Sequence, residues 1–297
     1  KSPPPPPPYP TGSPKSPPPP PPPKNPKIFY FFRHGYSCLN YADDKYGKIG
    51  KSLPRSNVNF DDPHLTNWGI TSSNIVYNKI KSSSLNINTD KIYVSPLIIT
   101  WETAYLMFDT NIKVAPFLRE GDLKNNITLG HLSSSGNTPK PFEENKKRFE
   151  EFKKFLTETK LSSKNNNINI TSDKNYDDDN RYTKYGNIRK FIAWVLNNDK
   201  VEANTKPYLI VAHKNLIFNF IESFFTFLRK KTWLTKTQEE INVKDQLKNI
   251  ENNNNFGIKV VVDYNEAQPE NSEVNEIEII TEGIRKPSRE EVNEIEK

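Results

Sequence analysis

Four short apolar runs, separated by longer stretches with helical periodicity, constrain the fold of this chain more than any other feature. They lie at about 27–32, 91–94, 112–115 and 208–212. The first run has apolar residues on both faces, as an interior strand of a parallel sheet does. Because helical patterns lie between the runs, the sequence predicts an α/β fold, a three-layer α/β/α sandwich with a mostly parallel central sheet.

The segments between the runs predict where helices and loops lie. Thr66 and Ser95 are N-cap residue types, and Pro96 suits the first position of a helix that follows Ser95. Residues 41–63 are polar and contain glycines and prolines, so a loop is predicted there. The asparagine-rich segment 164–182 is predicted to be a mobile loop. Further helices are expected at 142–160, 186–198 and 215–230, and a pair of edge strands at 257–263 and 276–281.

The chain is predicted to divide into an arm, a folded domain and a tail. Residues 1–26 hold 16 of the 25 prolines and cannot bury a core, so they should form an extended polyproline II arm. The arm either docks on a protein partner or serves as a passive spacer. The α/β domain is expected to span 27–283, with an inserted cap at 121–184 over the sheet edge, followed by a C-terminal tail at 284–297.

The composition argues against several classes of protein. The net charge of +6 reflects lysine enrichment throughout the chain, without an arginine-rich stripe, so no nucleic-acid partner is predicted. No apolar run reaches the ~18 to 20 residues needed to cross a bilayer, so no membrane span is predicted. The four histidines and one cysteine have no metal-ligand spacing, and His64 and His131 are expected at the surface.

The single cysteine and the first residue bear on the compartment. Cys38 leaves no intramolecular disulfide and favours a reducing environment, and it is expected to be a small buried side chain. The chain begins at Lys1 without a methionine, so a segment upstream can have been removed. A cytoplasmic location is therefore favoured, while a secreted protein or a virion component stays open.

Polar residues with catalytic chemistry follow four of the predicted strands. They are Arg33 and His34, Ser95, Glu120 and His213. In open α/β sheets, sites assemble at the carboxyl ends of the strands. Two histidines, an arginine and a glutamate at one edge fit phosphoryl transfer, in which one imidazole attacks phosphorus. The cations would hold the phosphoryl oxygens, and the carboxyl group would protonate the leaving oxygen.

Five short segments around these positions occur in a fixed order. They are Arg33-His34-Gly35-Tyr36-Ser37-Cys38-Leu39-Asn40; Asp62-Pro63-His64-Leu65-Thr66-Asn67-Trp68-Gly69; Ser95-Pro96-Leu97, continuing to Glu102-Thr103-Ala104; Leu118-Arg119-Glu120; and Val211-Ala212-His213. Together they resemble the signature segments of the histidine phosphatase superfamily, in the branch that includes phosphoglycerate mutases and small-molecule phosphatases. The similarity spans about 27–283 and is poor at 121–184 and 232–255.

The resemblance implies a role for each matched side chain. It implies His34 as the phosphorylated nucleophile and Glu120 as the proton donor. It implies Arg33, Asn40 and His213 as ligands of the phosphate, with Ser37 near the substrate. The substrate would be a phosphorylated small molecule or a phosphoprotein, and no metal or other cofactor is implied.

The sequence departs from the family pattern at two positions. Ile99 stands where the family has its second phosphate-binding arginine, and no lysine or arginine lies between Lys91 and Lys113. Lys214 replaces the glycine that usually follows the second histidine, and it either supplies the missing charge near the substrate or points into solvent.

Two functions are consistent with these residues. The first is a phosphomonoester hydrolase that works through a phosphohistidine, with altered or weakened substrate preference. The alternative is a pseudo-phosphatase kept for binding or assembly and tethered by its proline-rich arm. The intact side chains favour the first, namely His34, His213, Arg33 and Asn40. The lost arginine at Ile99 and the replacement at Lys214 favour the alternative. Mutase activity is the least favoured, because no mutase-type continuation follows Glu120.

Overall fold

A computed structural model describes most of the chain from residue 26 onward. The described residues are 26–50, 62–83, 87, 89–120, 139–162, 164, 167–173, 176–177, 179–183, 186–198, 206–218, 221, 245–263, 273–288 and 290–291. The predicted arm falls almost entirely outside this part of the chain. Pro26, the last residue assigned to the arm, is instead the first residue of a strand.

Seven strands form one sheet. They are β1 (Pro26–Arg33), β2 (Lys91–Val94), β3 (Asn111–Val114), β4 (Ile170–Thr171), β5 (Tyr208–Ala212), β6 (Gly257–Asp263) and β7 (Glu273–Thr281). The order across the sheet is β4-β3-β2-β5-β1-β6-β7. All pairs from β4 to β1 are parallel, whereas β6 and β7 form an antiparallel pair at one edge. The predicted mostly parallel sheet and the edge strands are confirmed.

Helices cover both faces of the sheet. They are α1 (Cys38–Gly50), α2 (Asn67–Ser82), α3 (Ile98–Met107), α4 (Phe142–Thr159), α5 (Asn180–Thr183) and α6 (Ile188–Asn198). Because side chains alternate along a strand, β1 contributes Phe29 and Phe31 to the apolar cluster under α6 and Phe32 to the cluster under α2, α3 and α4. The three-layer α/β/α architecture is therefore confirmed.

Three local predictions differ from the structure. Residues 41–50, expected in a loop, belong to α1, which begins after Ser37. Helix α3 begins at Ile98 rather than at Pro96, and Ser95 does not cap it. The predicted loop 164–182 contains β4, which pairs with β3 and extends the sheet at its edge. It also contains most of α5.

The strand register brings the carboxyl ends of β1, β2 and β5 to one edge of the sheet. Arg33 lies opposite Ala212, and Val94 lies opposite Val211. Residues that directly follow these three strands are therefore neighbours, although they are far apart in the sequence. Within the described residues, no helix is long and apolar enough to cross a membrane.

Candidate phosphate site

The two strand-end histidines meet in the protein interior. His34 follows β1 and His213 follows β5, and the His34 amide donates to the Ala212 carbonyl over 3.0 Å. The ring centroids of His34 and His213 are 5.1 Å apart, with 59° between the ring planes. Both side chains are buried. The predicted pairing of the two imidazoles is thus present in the structure.

The hydrogen bond of His34 determines which of its ring nitrogens is free to react. Nδ1 lies 2.7 Å from the Gly35 carbonyl oxygen, which can only accept, so Nδ1 carries the proton. The lone pair therefore resides on Nε2. Burial, and then the charges of His213 and Arg33, lower the pKa of His34 to about 3, so the ring is neutral at neutral pH.

The backbone of Gly35 is fixed by close neighbours. Its amide donates to Thr103 Oγ1 over 2.9 Å. A β-carbon at this position would lie 2.9 Å from Ser73 Oγ and 3.1 Å from the Gly69 carbonyl oxygen. The lack of a side chain at Gly35 therefore lets helix α2 pack against the turn that presents His34.

Arg33 places a guanidinium group beside the imidazoles. Its side chain is 5% exposed, and Nη1 donates to the Asn253 carbonyl over 2.7 Å. Its Nε is buried and has no hydrogen-bond partner among the described residues. Burial lowers the pKa of Arg33 to about 10, which still leaves it a cation at neutral pH. Arg33 can therefore offer a charged donor to an anion.

The Ser95 hydroxyl sets the orientation of His213. Nε2 of His213 lies 2.8 Å from Ser95 Oγ, which also accepts from the Leu97 amide over 3.3 Å. Because Oγ already accepts from Leu97, its proton can be donated to Nε2, which places the ring proton on Nδ1. Nδ1 of His213 is buried and has no hydrogen-bond partner among the described residues. It is therefore available as a donor to an oxyanion.

The pKa of His213 is lowered as strongly as that of His34. Burial is the main cause, and the positive charges of Arg33 and Arg119 add to it, so that the pKa of His213 lies at about 3. Both imidazoles are therefore neutral at neutral pH. One can act as a nucleophile, and the other can act as a hydrogen-bond donor.

Glu120 reaches the same place from the segment after β3. Its Oε2 lies 3.8 Å from His213 Nδ1, and the side chain is 33% exposed. The backbone before it is held by a second segment of the chain, since the Phe117 amide donates to the Arg181 carbonyl and the Asn187 amide to the Phe117 carbonyl. A carboxyl group thus lies at the partly accessible side of the histidine pair.

Ser37 and Asn40 form a capping box at the start of α1. The Ser37 amide donates to Asn40 Oδ1, and the Asn40 amide donates to Ser37 Oγ, each over 3.2 Å. The Asn40 side-chain nitrogen and the Ser37 hydroxyl proton take no part in this pair. Both side chains lie within a few residues of His34, and their contact with a phosphate group stays a prediction.

The two departures from the family pattern have different structural settings. Ile99 is 2% exposed and packs in the apolar cluster between α3 and the sheet. Lys214 extends its Nζ to 3.2 Å from Glu251 Oε1 and is therefore held in an ion pair. Neither residue supplies an uncompensated positive charge.

The sequence does not single out a run of four asparagines, 252–255, before β6, and three of them contact the site. Asn253 accepts from Arg33 through its carbonyl, and Asn254 Nδ2 donates to the His34 carbonyl over 3.3 Å. Asn255 has a φ of 58°, a conformation that asparagine tolerates, and its Nδ2 donates to Ser73 Oγ. The general asparagine enrichment of the chain obscures the run, and its position one residue before β6 is the signal that could identify it.

An open cavity of about 520 Å³ lies between the segment that contains Asn253 and the end of β7. It is lined by Gln246, Asn249, Ile250, Asn253, Ile279, Ile280, Thr281 and Glu282. No lysine, arginine or histidine contributes to this lining. The lining of this cavity therefore offers an anionic group no positive charge, whereas Arg33 offers one near the buried histidine pair.

His64 is not simply a surface residue. Its Nδ1 forms a short hydrogen bond with Oε1 of the buried Glu102, whose Oε2 accepts from the Leu65 amide over 2.8 Å. Burial opposes protonation of His64, but the hydrogen bond and charge of Glu102 outweigh it, so the pKa of His64 is raised. Among the described residues, no group of three or more histidine, cysteine or carboxylate side chains could hold a metal ion.

Comparisons with known proteins give only a distant likeness. No protein-family model matches the chain, and no curated protein matches it by sequence. Among solved structures, a mycobacterial hydrolase is 12% identical with a TM-score of 0.43, over 91% of this chain and 97% of the other. The ecdysone phosphate phosphatase from Bombyx mori, in complex with tungstate, is 13% identical with a TM-score of 0.43, over 88% and 95%.

A third structure has the same level of similarity. The α-ribazole phosphatase from Shigella flexneri is 12% identical with a TM-score of 0.38, over 88% of this chain and 100% of the other. All three proteins are named as hydrolases or phosphatases. Because the identities are so low and the TM-scores are below 0.5, the function of this chain has to be inferred from the geometry of its own site.

Proposed function

We propose that this protein is a phosphomonoester hydrolase that works through a phosphohistidine on His34. The observation that carries the proposal is the hydrogen bond from His34 Nδ1 to the Gly35 carbonyl, 2.7 Å long. It leaves a neutral Nε2 with its lone pair available, beside the Arg33 guanidinium and the His213 ring. A buried neutral imidazole with a fixed tautomer is suited to attack phosphorus.

The first half of the reaction forms the phosphohistidine. His34 Nε2 attacks phosphorus and forms the N–P bond while the ester P–O bond breaks. Glu120 gives its carboxyl proton to the leaving oxygen, so the alcohol departs neutral. Arg33 and His213 Nδ1–H donate to the phosphoryl oxygens, where negative charge develops.

The second half returns the enzyme to its starting state. The Glu120 carboxylate takes a proton from water, and the resulting hydroxide attacks phosphorus as the N–P bond to His34 breaks. Inorganic phosphate is released, His34 is again neutral and Glu120 is again protonated. All of these steps use side chains of the chain itself. The substrate class is a phosphorylated small molecule or a phosphoprotein.

A variant of His34 tests the proposal. Wild-type protein is expected to hydrolyse p-nitrophenyl phosphate, and His34→Ala is expected to lower kcat on the order of 10⁴-fold or more, because the nucleophile is gone. Brief reaction with a ³²P-labelled substrate should leave label on the wild-type protein that survives alkali and is lost in acid, as a phosphohistidine is. Asp90→Asn, at an exposed ion pair with Lys206, serves as the control and should retain the wild-type rate.

The same experiment separates the two candidate functions. Equal rates in wild-type and His34→Ala would refute hydrolysis through His34. The alternative, a pseudo-phosphatase, is favoured by one observation, namely that the arginine position of the family is the buried apolar Ile99. That alternative predicts no hydrolysis above the rate without protein, together with partner binding that His34→Ala does not change.

A further inference from the structure

The tautomer of His34 depends on the carbonyl group of a residue that does not restrict its own backbone. The proton on His34 Nδ1 is held by the Gly35 carbonyl oxygen over 2.7 Å. Glycine has no side chain to limit its dihedral angles, so Gly35 by itself does not fix the direction of this carbonyl. If His34 is to keep one tautomer, neighbouring groups must hold the backbone on both sides of Gly35.

Asn254 holds the peptide unit that joins His34 to Gly35. Its Nδ2 donates to the His34 carbonyl oxygen over 3.3 Å, and the Asn255 amide approaches the same oxygen at 3.5 Å. The Asn254 side chain is 1% exposed. Its own backbone is anchored, because the amide and the carbonyl of Asn254 both bond to Ile284, over 2.9 and 2.8 Å. The donor that faces the His34 carbonyl therefore has a fixed origin.

Thr103 holds the other end of the same peptide unit. The Gly35 amide donates to Thr103 Oγ1 over 2.9 Å, and Thr103 is buried on α3. The Thr103 hydroxyl gives its own proton to the Ile99 carbonyl over 2.7 Å, so its oxygen faces Gly35 as an acceptor. In a trans peptide unit the C=O and the N–H point in opposite directions. This unit is thus held from one side by Asn254 and from the other by α3.

The chain is also held directly after Gly35. The Tyr36 carbonyl accepts from the Thr66 amide and from the Thr66 hydroxyl, each over 3.0 Å. The Gly35 carbonyl therefore lies between two peptide units that are both hydrogen-bonded to other elements. Its direction toward His34 Nδ1 follows from these two fixed units.

The amide group of Asn254 is an unfavourable choice if stability were its only purpose. Its Oδ1 is buried and has no hydrogen-bond partner among the described residues. Exchanging Oδ1 and Nδ2 would not help, because an oxygen would then face the His34 carbonyl, which can only accept. Burial of an acceptor without a donor lowers stability. An apolar side chain would avoid this cost, so the hydrogen bond to His34 is what the amide provides.

We propose that Asn254 is a positioning residue that, together with Thr103, keeps the proton of His34 on Nδ1. Asn254 acts through the His34–Gly35 peptide unit and not through contact with a substrate. By holding that unit it keeps the lone pair of the ring on Nε2. The importance of this for catalysis rests on the proposed function, whereas the effect on the tautomer does not.

The tautomer of His34 can be measured by NMR in the full-length protein without any substrate. In protein labelled with ¹⁵N-histidine, the ¹⁵N chemical shift distinguishes a protonated ring nitrogen from an unprotonated one, and His34→Ala identifies the signals of His34. Wild-type protein at pH 7 should show the proton on Nδ1. Asn254→Asp places an acceptor against the His34 carbonyl, and Asn254→Leu has a similar shape without a donor. In both variants the Nε2 resonance should shift toward the protonated position.

Variants of Thr103 test the other half of the same arrangement. Thr103→Val has the same shape but cannot accept from the Gly35 amide, so it should shift the Nε2 resonance of His34 in the same direction. Thr103→Ser keeps the hydroxyl and should retain the wild-type spectrum. Asn74→Ala is the matched control, because it removes an amide that donates to the Leu161 carbonyl over 2.9 Å. It should leave the His34 signals unchanged.

A merely structural role for Asn254 would lower the free energy of unfolding without changing the tautomer. Unchanged His34 shifts in a folded Asn254→Asp or Asn254→Leu would therefore overturn the proposal, and so would a wild-type His34 that carries its proton on Nε2. If neither Asn254 variant folds, the Thr103 pair decides. A shift in Thr103→Val that is absent in Thr103→Ser supports the proposal, and the wild-type spectrum in Thr103→Val refutes it.

Turnover separates this proposal from the proposed function. If the protein is a hydrolase, Asn254→Asp and Thr103→Val should lower kcat at least about 10-fold while KM changes less, because the nucleophile has lost its tautomer. If wild-type protein hydrolyses no phosphomonoester, the proposed hydrolase fails, and the NMR spectra still decide the role of Asn254. If the protein is active and kcat is unchanged in both variants, the positioning role in catalysis is refuted.

Discussion

At the scale of single residues, two hydrogen bonds to neighbouring groups determine which ring nitrogens of His34 and His213 carry the protons. The Gly35 carbonyl holds the proton on His34 Nδ1, and the Ser95 hydroxyl holds Nε2 of His213. In the proposed mechanism the two rings therefore have different tasks, His34 as the nucleophile and His213 as a hydrogen-bond donor. Neither assignment requires a change of protonation at neutral pH, because burial keeps the pKa of both rings low.

Ser95→Ala tests the assignment for His213. Without the hydroxyl, either ring nitrogen can carry the proton, so we expect kcat to fall about 10-fold while KM changes less. The buried Nε2 would also lose its partner, at a cost of about 1–3 kcal/mol in the free energy of unfolding. Hydrolysis rates and urea unfolding are compared with Ser82→Ala, whose hydroxyl is exposed. An unchanged kcat in Ser95→Ala would contradict the role of the hydroxyl.

The sequence was a good guide to residues that directly follow strands. It correctly predicted that Arg33, His34 and His213 share one edge, because strand ends in a parallel sheet are neighbours whatever their separation in the chain. The sequence also correctly placed Ser95 at a strand end of this edge, but it was wrong to predict Ser95 as the cap of α3, because an N-cap residue type does not reveal where its hydroxyl points. In the structure the hydroxyl contacts the ring of His213, the residue after β5.

At the scale of elements, one buried carboxylate organises two helices. Asp62 Oδ1 accepts from the Ile98 amide at the start of α3 over 2.7 Å, and Oδ2 accepts from Asn145 Nδ2 on α4 over 2.5 Å. Arg148 adds an ion pair with Oδ2 and donates to the Asp62 carbonyl. The cap of α3 thus comes from a residue far away in sequence. For this reason the local pattern at 95–96 predicted the wrong start of the helix.

Asp62→Ala tests this junction. Removing the carboxylate leaves the Ile98 amide and the Asn145 side chain buried without their acceptor, so the free energy of unfolding should fall by about 3 kcal/mol. Urea unfolding measures the loss, with Asp90→Asn as the exposed control, expected to change by less than about 1 kcal/mol. A loss below about 1 kcal/mol in Asp62→Ala would show that water or nearby groups replace the carboxylate.

Helix α1 shows the limit of composition as a guide. Its glycines and polar residues favoured a loop, yet the Ser37–Asn40 capping box satisfies the first amides and starts a helix. The box lies inside the motif that had been interpreted for its chemistry alone. Ser37 and Asn40, which belong to the Arg-His-Gly segment, therefore also start helix α1.

At the scale of the whole molecule, the histidines couple stability to pH in two opposite directions. The folded pKa of His34 and of His213 is lowered from 6.5 to about 3. Their contribution is therefore fully present above pH 6.5 and is lost as the pH falls toward 3. The pKa of His64 is raised by Glu102, so its contribution is present below pH 6.5 and is lost as the pH rises through its folded pKa.

Urea unfolding at pH 7 and pH 5 tests this coupling. Between these values each buried histidine should account for a loss of about 2 kcal/mol, so His213→Gln should reduce the acid sensitivity of the protein by that amount. His64→Gln should instead increase the loss of unfolding free energy between pH 7 and pH 5. In the wild type the raised pKa of His64 favours the folded state on acidification, and the variant lacks this contribution. If the free energy of unfolding changed between pH 7 and pH 5 by the same amount in His213→Gln as in wild type, the lowered folded pKa of His213 would be contradicted.

Strand β1 also relates the start of the domain to the position of the histidine pair. The strand begins at Pro26, where the chain leaves the proline-rich segment, and ends at Arg33, next to His34. Eight residues of strand span roughly 26 Å, so the point where the chain enters the domain and the histidine pair lie at opposite ends of the same strand. A larger body that is held through residues 1–25 would therefore attach at the end of β1 that lies away from His34.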